Sequence, residues 1–112
     1  MNAYHVGFLY ELRAARYVRA NGGRILARRY RARGGEIDLV ARYGDAVAFI
    51  EVKARPDAPL GSGVEAVTAD KRRRVRSAAG AFVQAKGLQD APCRFDILEF
   101  TRAGIRYLPA AF

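Results

Sequence analysis

The chain has 112 residues, 20 of them Lys or Arg and 11 Asp or Glu, for a formal charge of +9. One cysteine, Cys93, excludes an internal disulfide and a cysteine-rich zinc site, and Met1–Tyr10, the longest stretch without a charged residue, is far short of the roughly 18 apolar residues of a membrane helix and lacks the pattern of a secretory signal. With 51% apolar and 28% charged residues, the composition excludes a disordered basic tail and predicts one globular, cytoplasmic domain spanning residues 1–112.

The first predicted element is a helix from about Val6 to Asn21, in which Phe8, Leu12, Ala15 and Val18 recur at helical spacing and Asn21-Gly22-Gly23 stops the run. Arg24–Tyr30 reads as a strand, and Arg31–Gly35 as a basic turn ending in two glycines. Two alternating runs follow, Glu36–Tyr43 and Ala46–Ala54, separated by Gly44-Asp45, the signal of a hairpin. Pro56–Gly63 is a loop. A second helix runs from about Ala69 to Lys86, with Thr68 as N-cap, Gly87 just past its end and Val75, Ala78, Ala79 and Phe82 as its apolar stripe. Cys93–Phe100 and Ile105–Leu108 close the chain as strands. The order α-β-β-β-α-β-β predicts an α/β domain with a mixed central sheet of about five strands flanked by helices.

The hairpin carries the chemistry. With Tyr43 facing Ala46, counting back places Asp38 opposite Glu51 and Glu36 opposite Lys53. Alternation then puts all four on one face and Ile37, Leu39, Ile50 and Val52 on the other, as core. Like charges directly opposed across a ladder are destabilising, so Asp38 facing Glu51 needs a reason. A shared divalent cation is one, because Mg²⁺ is typically held by one or two carboxylates with waters and substrate phosphate. Lys53 shares that face and is suited to positioning or deprotonating a water, or to offsetting charge on a phosphate in transition. The competing reading is a solvated strand face with an ordinary Glu36–Lys53 ion pair. Arg31, Arg33, Arg55 and the run Arg72, Arg73 and Arg74 surround the acids as an anion-attracting rim, and Arg76 adds to it.

Glu11 falls inside the apolar stripe of the first helix, where a carboxylate needs a partner. Reaching a metal and pairing with a nearby arginine are both open to it. Lys71 shares the inward stripe of the second helix near its N-terminus, an end that favours anions.

The segments Gly35-Glu36-Ile37-Asp38-Leu39-Val40, Phe49-Ile50-Glu51-Val52-Lys53-Ala54-Arg55, Glu65-Ala66-Val67-Thr68 with Lys71, and Arg94-Phe95-Asp96 resemble the YraN-type family of small bacterial proteins, over nearly the whole chain. That family resembles the PD-(D/E)xK nuclease superfamily and, within it, the Holliday-junction resolvases. The resemblance implies a restriction-endonuclease-like fold and a Mg²⁺- or Mn²⁺-dependent endonuclease acting on DNA, branched or structured DNA included. Asp38 and Glu51 would be metal ligands, Lys53 the catalytic lysine and Glu11 a first-helix carboxylate assisting the metal. Glu36 and Lys71 match motif positions in a supporting role, and Arg31, Arg33, Arg55, Arg72, Arg73 and Arg76 would meet nucleic acid. Action on a junction would call for a homodimer. The alternative is a non-catalytic nucleic-acid-binding or partner-binding module on a nuclease scaffold. Ile37 stands in place of the superfamily's signature proline, as is usual in this family, and Tyr10 stands for glycine and Arg29 for asparagine; these departures bear on the substrate groove more than on the chemistry.

Overall fold

A computed structural model describes residues 3–55 and 67–112, with side chains from Gly7 onward. Its elements are α1 (Ala3–Ala20), β1 (Arg24–Ala32), β2 (Gly35–Tyr43), β3 (Ala46–Arg55), α2 (Ala69–Lys86), β4 (Cys93–Thr101) and β5 (Gly104–Leu108). The strands form one sheet in the order β1-β2-β3-β4-β5. Neighbours are antiparallel except β3 and β4, which are parallel because helix α2 carries the chain back between them. The fold is therefore the α/β domain expected, and the expected loop Pro56–Gly63 lies outside the described residues.

Local chemistry sets the corners. Gly44 takes the positive φ (61°) that the two-residue hairpin turn requires, and Tyr43 pairs Ala46 as anticipated. The basic turn between β1 and β2 is tighter than expected, with Ala32 pairing Gly35 across Arg33-Gly34. Thr68 caps α2 by accepting from the Lys71 N–H at 3.2 Å, and Gly87 ends it in the left-handed conformation.

The sheet is covered on both faces. Ala14, Ala15 and Val18 of α1 pack on Leu39, Ala41, Ala48, Ile50, Leu98 and Phe100, and the small alanines bring the helix close. Val75, Ala78, Ala79 and Phe82 of α2 pack on Ile37, Val40, Val47 and Phe49. Phe8 leaves the expected α1 stripe and is 40% exposed. Gly35 lets α2 come close to the sheet: a Cβ there would lie 2.1 Å from the Arg74 carbonyl oxygen.

The expected register, with Asp38 paired to Glu51 and Glu36 to Lys53, fails at one place. Ile37 and Leu39 were to share a core face, yet Leu39 packs with α1 and Ile37 with α2. The alternation slips at Asp38, which is absent from the paired positions on both sides. Its cross-strand neighbour region in β1 is distorted too, with Arg29 at φ 50°, uncommon for a side-chain-bearing residue. The β2–β3 ladder ends at Leu39–Ile50, so Glu36 never comes opposite Lys53. It faces Arg31 of β1 instead, with an N–O distance of 3.5 Å.

Candidate active site

The break in β2 frees the Asp38 carboxylate to turn toward β3, where Oδ2 accepts the Val52 N–H at 2.8 Å. A backbone donor that a regular ladder would give to a carbonyl is thus satisfied by a side chain, and Asp38 is held beside the strand that bears Glu51. Glu51 is 3% exposed. Residues 47, 49 and 51 alternate onto the α2 side of β3, which brings Glu51 under the first turn of α2. Its Oε1 lies 3.3 Å from Lys53 Nζ and 3.3 Å from Lys71 Nζ. Its Oε2 is buried with no hydrogen-bond partner among the described residues, a costly condition for a carboxylate oxygen.

The two carboxylates feel each other. Burial raises the Asp38 carboxyl to about 7, the Glu51 charge adds to the rise and Glu11 adds a smaller one, against the Val52 N–H and Lys71, which stabilise the anion. Asp38 is an acid whose charge is poorly compensated by the protein alone.

Glu11 is engaged elsewhere. Arg29 Nε donates to both of its carboxylate oxygens, at 2.7 and 2.9 Å, in a partly buried pair. Among the described residues no three acidic, His or Cys side chains cluster closely enough to hold a metal, and Glu11 pairs with Arg29, one of the two partners the sequence left open to it. Arg29 is the residue that sequence reasoning passed over as a partner; its one signal was its departure from the expected asparagine. Lys71, given no contact beforehand, reaches Glu51. Of the rim, Arg31 pairs with Glu36, while Arg33 and Arg55 are exposed. Arg73 and Arg74 both lie against Asp70, at 2.7 and 3.1 Å.

Comparison with known proteins follows the same residues. The profile described as uncharacterised protein family UPF0102 matches residues 10–100. This chain belongs to that family. A UPF0102 protein of Hahella chejuensis is 40% identical over 110 residues, covering 96% of this chain and 89% of the relative. A UPF0102 protein of Rhodopseudomonas palustris is 46% identical over 112 residues, 98% and 82%, and one of Lachnoclostridium phytofermentans is 40% identical over 113 residues, 100% and 96%. The UPF0102 match takes in every element that builds the site, from Glu11 to Lys71. No helix among the described residues is long and apolar enough to cross a membrane.

Asp38 and Glu51 suit a hard divalent cation. One carboxyl resists ionisation because it is buried beside a like charge, and the other buries an oxygen without a donor; a cation with oxygen preference answers both.

Proposed function

We propose that this UPF0102 protein is a metal-dependent phosphodiesterase of the PD-(D/E)xK kind, acting on DNA. The observation that carries the reading is the buried Glu51 oxygen without a partner beside an Asp38 whose carboxyl is pushed up to about 7. Two carboxylates so placed cost stability, which is the expected mark of a functional site.

Asp38 and Glu51 would hold Mg²⁺ or Mn²⁺, which supplies Lewis-acid charge and a more acidic bound water. The chain's own residues do the rest. The Val52 N–H orients the Asp38 carboxylate. Lys53 and Lys71 converge on Glu51 Oε1 from a strand and a helix, placing two positive groups where charge builds on the phosphate under attack. Arg29 pairs with Glu11 and fixes α1 against β1. Incubation with Mg²⁺ or Mn²⁺ and branched, nicked and single-stranded DNA tests the proposal: cleavage that disappears in Asp38→Ala and Glu51→Ala supports it, and equal cleavage by those variants refutes it. A junction substrate would require two copies of the chain.

A second reading has its own support. Glu11 is compensated by Arg29, and Glu51 by two lysines, without any metal. A nucleic-acid-binding module that does not cut would show binding in EDTA and no cleavage with any divalent ion.

A further inference from the structure

Hydrolysis at Asp38 and Glu51 gives no role to Arg72, Arg76 or the segment Arg94-Phe95-Asp96. The four arginines that open α2 divide into two kinds. Arg73 and Arg74 share Asp70, whose carboxylate offsets part of their charge. Arg72 and Arg76 are mounted on rings. The Arg72 guanidinium lies 5.7 Å from the centre of the Phe112 ring, and that of Arg76 lies 5.1 Å from Phe95 and 5.7 Å from Phe112. The Arg72 Nε also donates to the Val67 carbonyl at 3.0 Å.

The rings form a ledge. Phe112 packs on Phe95 and Phe95 on Phe49, each pair with centroids 5.5 Å apart. Two backbone N–H groups fasten residues 110–112 against β4: Ala111 N–H donates to the Phe95 carbonyl at 2.7 Å, and Ala110 N–H to the side-chain Asp96 Oδ1 at 2.9 Å. Asp96, fully buried, also accepts from Arg94 Nε at 2.9 Å and from the Tyr107 hydroxyl at 2.5 Å. The Arg94-Phe95-Asp96 segment therefore builds the platform on which Arg72 and Arg76 rest.

We infer that Arg72 and Arg76 form a preorganised clamp for successive phosphates of a nucleic-acid strand, with Phe112 as its positioning residue. A guanidinium over a ring spends its face on the ring and keeps N–H edges for an oxyanion. Its rotamer is already restricted, so less freedom is lost on binding. Residues four apart rise about 6 Å along a helix, the order of the step between neighbouring phosphates. Arg72 directly follows Lys71, which touches Glu51, so the clamp begins in the same turn of α2 that reaches the carboxylates. The inference rests on the reading of that site as one acting on nucleic acid.

Binding of a fluorescent DNA duplex by the full chain, in EDTA and across a salt series, separates the clamp from the chemistry. Arg72→Gln with Arg76→Gln should flatten the slope of log K against log salt by about 2, given about 0.9 per phosphate contact. Arg73→Gln with Arg74→Gln removes the same charge and should change it by less than half as much. Phe112→Leu keeps every charge and an apolar side chain but removes the ring; it should leave the slope alone and weaken binding about 2- to 10-fold, with the thermal midpoint of wild type confirming the fold. Equal losses in the two arginine pairs, or wild-type binding by Phe112→Leu, would overturn the clamp. So would a wild-type protein that ignores DNA and binds an acidic polypeptide instead. Clamp-dependent binding without cleavage in any metal would sink the hydrolase and leave the clamp standing.

Discussion

Asp38 meets three demands at once: it breaks the alternation of β2, accepts the Val52 N–H and stands within the field of Glu51. Its titration has a definite sign. The folded carboxyl lies at about 7 against an ordinary 3.8, so the native state binds a proton that the unfolded chain has already released. The stability linked to that proton is fully present below about pH 4 and is lost as the pH rises through 7. At about 1.36 kcal/mol per pKa unit the loss is at most about 4 kcal/mol. Asp38→Asn, which retains an oxygen for Val52, should therefore unfold at a higher temperature than wild type at pH 8 in EDTA, with the difference shrinking toward pH 5. Thermal melts at the two pH values check it; a variant that gains equally at both would show that Asp38 is not a suppressed acid.

At the scale of elements, the distance between α2 and β2 is set by a missing side chain. Any Cβ at Gly35 collides with the Arg74 carbonyl, which is backbone and cannot rotate away. Gly35→Ala should cost about 1–3 kcal/mol or more in urea unfolding and displace Lys71 from Glu51. Gly80, in the same helix with nothing within 4 Å of its would-be Cβ, should behave oppositely: Gly80→Ala should stabilise by about 0.5–1 kcal/mol. The contrast between the two glycines also marks what a sequence can reveal. The hairpin was legible because a Gly44-Asp45 turn and period-two apolar runs fix register locally, and α2 was legible from Thr68, Gly87 and its stripe. The slip at Asp38 was not, because it coincides with a positive φ at Arg29 in the neighbouring strand, and no residue type announces that. Glu36 was assigned to Lys53 for the same reason: continuing a regular ladder is the default, and the partner it finds, Arg31, lies on the strand across its other edge. Glu11 could be marked as needing a partner, but its choice of Arg29 requires α1 to be docked on β1. The platform under Arg72 and Arg76 joins residues 95, 112, 72 and 76, too far apart in sequence for any local pattern to connect.

Across the whole molecule, one end of the sheet is tied together by Asp96. Its carboxylate gathers Arg94, Tyr107 of β5 and the Ala110 N–H beyond it, and no part of it reaches solvent. Asp96→Ala would strand a guanidinium, a hydroxyl and an amide together, and should cost about 3–5 kcal/mol in urea unfolding. A loss below about 1 kcal/mol would mean that water satisfies those groups and that the tie is not needed. Asp96 and Asp38 thus show two fates for a carboxylate in one sheet: the first is saturated by donors and holds the fold, whereas the second is left short of them. That shortage, with the unpartnered Glu51 oxygen, is the basis for proposing metal-dependent hydrolysis at the Asp38 end. The most direct measurement is cleavage of a labelled branched DNA in Mn²⁺ by wild type, Asp38→Asn and Glu51→Gln. Cleavage by wild type that vanishes in EDTA and in both variants is the predicted result; cleavage that persists in either variant, or no cleavage of this or of nicked or single-stranded DNA, would contradict it.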